Sequence, residues 1–557
     1  MTPIRLQPLA HLKVPVVPEQ PSALFTRLFG VQPALQQPTP APAPAEASKT
    51  LGPLGLALLC FASIAGGPFG IENSVASIGP LPTMLALLFT AACWSLTQAL
   101  MAAEMSSMYP CNAGNILWVL KALGPTAGFV NAGLIFLMNV LNLPLYTVLA
   151  ASCVGQVVAL TPGEEFGLQV GVLALGVVVN IMGMAAIEKF TGLLVLLVQV
   201  PFLLMPIVWA ANRRPFEWRA LGSSAPNWLG ALGPGLANVC WNSLGWSSVR
   251  CWLPGASTPP GLPPLHTPSC TFTFTPPPHT HSLRAQLGNI AGDVKDPTRN
   301  IPYGFALAVG MISLNYLLPL LFTIAMSPDI DAWGTGYFVG IAKATSGWLG
   351  VLAAVCGVFS SINNLLPQLT MASRQTKATV LARMLPPCLA FLGRDSALTG
   401  TPVAAILLIA GCSLCLLRLD FDVLVVLEVL CALVALLLQF AAFLVLKHRQ
   451  PNAPRPFAVP GGLCGAYAIS IPFFLLATML IYFDTVGNFV ALSVGALCLL
   501  FLLLGRFWYA DQYTPEVLEL LLRDEGDLDA GVRQARAAME RTLPLETVAL
   551  LSTTGGL

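Results

Sequence analysis

GGPFGIE, running from Gly66 to Glu72, sits inside one of the most apolar stretches of the chain. Three glycines and a proline interrupt a helix there, and a carboxylate follows. The break matters only if that helix lies in lipid, and composition says that it does. Of the 557 residues, 55% are apolar and 10% charged, and mean hydropathy is +0.74, whereas soluble domains carry roughly 25% charge. Apolar runs long enough to span a bilayer, about 20 residues each, begin near Leu51, Pro80, Pro125, Phe166, Thr191, Trp228, Ile301, Gly347, Thr401, Phe421, Leu463 and Gly487. They predict an all-α, polytopic membrane protein of about twelve transmembrane helices, the third and eighth longer than a span needs. Strands of a membrane barrel would alternate at period two, whereas LLVLLVQVPFLLMPIVW is apolar all round.

In hydrocarbon an unpaired peptide group costs several kcal/mol, so irregular backbone persists there only where it lines a cavity or is buried in protein. At about 1.5 Å per residue the GGPFGIE break falls near the midplane of the first span. The half-helix after it offers free N–H groups and a positive dipole end, a receptor for a carboxylate. GPGLANVCWNSLGWS, Gly233 to Ser247, repeats the pattern in the sixth span, with Trp241 and Trp246 bracketing a polar patch. Paired interruptions of the first and sixth helices point to a five-plus-five inverted repeat with a small-molecule site between the breaks. The candidate binding residues are Gly66, Gly67, Pro68, Phe69, Gly70 and Glu72 at the first break. Asn242, Ser243, Gly245 and the two tryptophans supply the second, with Tyr146 of the third helix as a further aromatic wall. Carboxylates within spans are functional candidates by default, so Glu72, Glu428 and Glu104 are assigned to gating or coupling.

Net charge is +1, which argues against a nucleic acid partner on bulk electrostatics. With the N-terminus in the cytosol, 20 of the 27 Lys and Arg fall on the cytosolic side and five, Arg213, Arg214, Arg219, Lys343 and Arg418, on the other. The bias predicts both termini in the cytosol. No nucleotide loop, hydrolase motif or zinc spacing appears, so no enzyme, cofactor or metal is expected. The fourteen scattered cysteines form no disulfide framework, and Cys412 with Cys415 reads as helix filler.

The stretches GGPFGIE, AAEMSSMYPCNAGNILWV, WNSLGWS, LGNIAGDVKDPTRNIP, ASRQTKA and RPFAVPGG resemble the amino acid, polyamine and organocation transporter superfamily, most of all its plant and protist branch of polyamine and L-amino acid transporters. The resemblance covers about residues 52–508. It implies secondary import of amino acids or polyamines, coupled to protons, across the plasma membrane or an organelle membrane. A non-transporting amino acid sensor on the same fold is the alternative. Tyr146 falls on a tyrosine of that family. Where its polyamine carriers have acids, this chain has Ser247, Asn142 and Gln439, which leaves polyamine and amino acid both open.

Around the transporter domain, 51–508, the Pro- and Ala-rich residues 1–50 read as a disordered cytosolic tail and 509–557 as an amphipathic cytosolic one. Val249 to Gln286 is a Pro-, Thr- and His-rich insertion of 38 residues whose nine prolines cannot continue a helix. Joining Ser248 to Leu287 gives WSSLGNIAGDV, which restores the pattern of the resembled family without a gap. An opening Val, a closing Gln and pyrimidine-rich codons between them are how an in-frame retained intron translates; a true loop is the alternative. Sequencing mature transcripts decides between the two: spliced messages lacking these codons are expected, and their presence in every message refutes the intron reading.

Overall fold

The computed structural model describes residues 53–109, 114–246, 297–396, 399–453, 455, 457–485 and 489–513. All regular structure among them is helical. The first span is two pieces, α1 Pro53–Ile64 and α2 Glu72–Ile78, separated by the glycine break. There follow α3 Pro80–Met108, the short α4 Gly114–Leu123, α5 Pro125–Gly155, α6 Pro162–Met182, α7 Met184–Ala211 and α8 Leu232–Trp241. The remaining helices are α9 Pro297–Met326, α10 Tyr337–Thr345, α11 Gly347–Leu381, α12 Val403–Leu414, α13 Phe421–Arg449, α14 Gly462–Thr485 and α15 Phe489–Leu504. Eight of the described helices are long and apolar enough to cross a membrane, and shorter apolar ones complete the set. The expected starts of the spans agree with these bounds to within a few residues, except near the fifth span, where α7 begins earlier. The insertion 249–286, residues 1–50 and residues 514–557 lie outside the described residues; the first residues of the second tail, 509–513, are described, and Tyr509 is buried against the bundle.

The two long helices, α5 and α11, are the third and eighth spans and pack along each other at the centre. Around them α13, α7 and α1 with α9 complete the core, while Leu203, Ile207, Leu475 and Leu492 point outward as a lipid-facing surface does. Pro80 at the start of α3 and Pro162 at that of α6 stand where a missing N–H costs nothing.

Both breaks have local causes. Gly67 and Gly70 take φ of +140° and +97°, a region that L side chains rarely enter. A side chain at Gly67 would also collide with Val198 of α7. The sixth span stops at Trp241, passes through a turn at Asn242 and Ser243, and has Gly245 at φ +109°. The breaks face one another: a Cβ on Gly70 would lie 2.7 Å from the Trp241 ring. The half-helix after the first break and the one before the second are tied together by Ser74, whose hydroxyl donates to the Gly235 carbonyl at 3.1 Å and accepts from Asn238 Nδ2 at 3.0 Å.

Glu104 belongs to this framework. It is buried in α3, where Lys447 of α13 donates to both carboxylate oxygens at 2.6 and 2.7 Å. Arg455 lies 3.1 Å from Oε1, and the Val459 N–H donates to Oε2 at 2.7 Å. Ser107, one turn on, donates to the Phe457 carbonyl at 3.1 Å. One carboxylate thus pins the segment RPFAVP between α13 and α14 against α3. The candidate gating role meets a group whose two oxygens are both engaged by buried partners. Removing one member of such a buried set strands the others, at a cost of about 3–5 kcal/mol. Glu104→Gln should therefore lower the melting temperature of the purified protein in detergent by many degrees, and a melting curve like the wild type's would show the cluster to be dispensable.

Candidate functional site

The facing breaks leave a partly enclosed cavity of about 50 Å³ between them, room for a few waters. Its walls come from six elements. Ile64 and Phe69 belong to the first break, Trp241, Asn242, Leu244 and Gly245 to the second. Met138, Asn142 and Tyr146 descend from α5, Tyr316 comes from α9, Asn364, Pro367, Gln368 and Met371 from α11, and Glu428 from α13.

The aromatic groups are fixed by one another. Trp241 lies between Tyr146, ring centroids 5.8 Å apart, and Phe421, whose edge meets it at 5.4 Å and 89°. Phe69 is held edge-on by Phe202 at 5.1 Å and Phe338 at 6.2 Å. The polar groups are fixed by hydrogen bonds. Asn142 Nδ2 donates to Glu428 Oε1 at 2.6 Å, and the Tyr316 hydroxyl donates to the Asn242 carbonyl at 3.3 Å, at the end of α8. Gln368 Nε2 donates to Asn139 Oδ1 at 3.1 Å, and Asn139 Nδ2 to Gln375 at 2.7 Å, so an amide chain runs from the cavity along the seam of α5 and α11. Glu428 has no exposed surface, and its Oε2 makes no hydrogen bond to the described residues. The Trp241 indole faces the same carboxyl, but its Nε1 closes no hydrogen bond. A buried carboxylate with one oxygen unpartnered, flanked by two electron-rich rings, is a receptor for an organic cation bearing N–H donors.

Of the residues singled out in the sequence, Phe69, Tyr146, Trp241, Asn242, Gly245 and Glu428 line this cavity. Gly66, Gly67, Pro68 and Gly70 shape it through backbone: a Cβ on Gly66 would fall on the Asn364 amide. Ser243 and Trp246 are buried beside the break without lining the cavity, Ser247 lies outside the described residues, and Glu104 sits in its own cluster. Glu72, expected at the cavity, turns away from it. Its Oε2 accepts the Gly70 N–H at 2.5 Å, and the backbone N–H groups of Gly336 and Phe338 face the same carboxyl. The physical reason is local. The Gly70 N–H before α2, which reads in the sequence as free for a substrate carboxylate, is taken by the chain's own side chain, while Glu72 Oε1 is buried without a hydrogen bond to the described residues.

Asn364, Gln368 and Tyr316 join the site without having stood out in the sequence. A signal for two of them is there: SSINNLLPQLT places two amides four residues apart, on one face of an otherwise apolar helix. Asn142 stands out in the sequence only as an acid's substitute, whereas its contact with Glu428 spans 286 positions.

Comparisons with known proteins bear on the whole of this architecture. The family model described as amino acid permease matches residues 51–260 and 287–504, and so leaves 261–286, within the insertion, unmatched. Polyamine transporter PUT1 of Oryza sativa subsp. japonica is 29% identical over 462 residues, 82% of this chain and 78% of its own length. Polyamine transporter RMV1 of Arabidopsis thaliana is 27% identical over 443 residues, 78% of this chain and 81% of its own. A family match over most of the sequence, on a bundle whose first and sixth spans break around a shared cavity, places the chain in the amino acid permease family of multi-pass membrane transporters.

Proposed function

We propose that the protein is a secondary active transporter that imports an amine-bearing solute, an amino acid or a polyamine, by proton symport, with both termini in the cytosol. The observation that carries this reading is Glu428: a fully buried carboxyl in the cavity between the two breaks, with Oε2 unpartnered and Tyr146 and Trp241 beside it. Its charge in a dry site needs a partner, and either a substrate ammonium or a proton supplies one. Those two occupants give coupling a physical basis, because the same oxygen serves both. The names of the plant relatives support the polyamine end of the range. The excess of Lys and Arg on one set of loops supports the orientation.

In transport the cavity between the breaks would open to one side of the membrane at a time. Alternating access then amounts to rocking the half-helices and their partners about the fixed site. The amide chain Gln368–Asn139–Gln375 and the Phe421 lid on Trp241 are contacts that such rocking has to open.

In proteoliposomes, uptake of labelled putrescine, spermidine or an amino acid should rise with an inward proton gradient. Glu428→Gln should weaken the substrate's apparent affinity by the value of a charge-assisted hydrogen bond, about 1.5–3 kcal/mol, or roughly tenfold to a hundredfold. Uptake by this variant at the wild-type level, for every solute and pH tried, would remove Glu428 from the site.

A further inference from the structure

Asn142 and Glu428 meet in the cavity wall, 4% and 0% exposed. The amide donates Nδ2–H to Oε1 at 2.6 Å, which leaves its own oxygen directed elsewhere. Neither Asn142 Oδ1 nor Glu428 Oε2 hydrogen-bonds to any described residue, although both are buried. The pair therefore offers two acceptors and a single negative charge. The other side chains with polar heads on the cavity wall, Asn364, Gln368, Asn242, Tyr316, Tyr146 and Trp241, are neutral, so among the described residues Glu428 is the one charged group lining the cavity.

We infer that Asn142 is a specificity-determining residue, which fixes the site at one negative charge and thereby selects solutes that enter it with one primary ammonium group. The inference rests on the reading of Glu428 as the substrate's countercharge. A primary ammonium has three N–H donors. Two reach Glu428 Oε2 and Asn142 Oδ1, and the third turns to the Tyr146 and Trp241 rings. With a monoamine the occupied cavity is then neutral. A second ammonium on the same solute would sit among amides and methionines without a countercharge, and a buried unpaired charge costs several kcal/mol. Mono-N-acylated diamines meet the one-ammonium condition, as do amino acids with neutral side chains, whose carboxylate then needs a donor of its own outside the pair; free diamines do not.

An acid at position 142 would change the arithmetic. Its oxygen would stand beside Glu428 Oε1, and two carboxylates that close cannot both stay ionised unless two positive charges arrive with the substrate. Asn142→Asp should therefore turn a one-ammonium site into a two-ammonium site.

The test is calorimetric binding to the purified full-length chain in nanodiscs, with n-butylamine, N-acetylputrescine and putrescine, which share a four-carbon spacer and differ in charge. The wild type should bind the first two at least tenfold more tightly than putrescine. In Asn142→Asp, checked for folding by its melting curve, the order should reverse. Wild-type protein that prefers putrescine, or binds all three alike, overturns the inference without recourse to a variant. A folded Asn142→Asp with the wild-type order overturns it too. If amines bind, and Glu428→Gln abolishes that binding, the reading of Glu428 survives either of those failures; if the wild type binds none of the three, both fall together.

Discussion

A peptide group in hydrocarbon must find a partner, and the two helix breaks are the places where this chain makes that hardest for itself. Each break is answered by a neighbour. Gly70 N–H is taken by the Glu72 carboxylate, the Asn242 carbonyl by the Tyr316 hydroxyl, and Ser74 bridges the half-helices through Gly235 and Asn238. Because the answering groups come from α9 and α8 as well as from the breaks themselves, the bundle cannot form without bringing the breaks face to face. The cavity is the space left when those demands have been met. It exists because glycine at φ +140° and +97° lets backbone turn where a side chain would strike α7 or the Trp241 ring.

Three buried carboxylates in the same bundle show how environment divides roles. Glu104 is saturated by Lys447, Arg455 and a backbone N–H, and it holds a connecting segment in place. Glu72 closes the start of α2 and reaches toward α10. Glu428 alone among them lines the cavity, and it keeps one oxygen uncommitted toward it. Nothing in the residue type distinguishes the three. Glu72 and Glu428 each keep one buried oxygen without a hydrogen bond among the described residues, so what separates those two is position: only Glu428 stands on the wall of the cavity, where a cation or a proton from outside could reach it.

That difference also marks how far the sequence can be read. Span positions and the two breaks are legible, because hydropathy and Gly or Pro are local signals: α3, α5, α11 and α13 start where the apolar runs begin. Phe69 and Trp241 follow from their place beside the breaks, and Tyr146 from the family resemblance of the third helix. The role of Glu72 is not legible, because the direction of its side chain depends on the start of α10, more than 260 positions away, which no local pattern encodes. Asn142 looks like a lost acid until its partner across the cavity is seen. Asn364 and Gln368 do not stand out because an amide in a membrane helix commonly serves packing. The insertion at 249–286 is conspicuous in composition, and the family match breaks off within it.

Chemical modification can interrogate the proposed site without a variant. A hydrophobic carbodiimide reacts with buried carboxyl groups, and peptide mass spectrometry reports which ones. In the intact protein n-butylamine at saturation should lower the total modification of Glu428, N-acylurea and butylamide counted together because the amine also captures an activated carboxyl, and leave that of Glu72 unchanged. Equal labelling of Glu428 with and without the amine, or protection confined to Glu72, would place the substrate away from the cavity between the breaks and contradict a site built on Glu428.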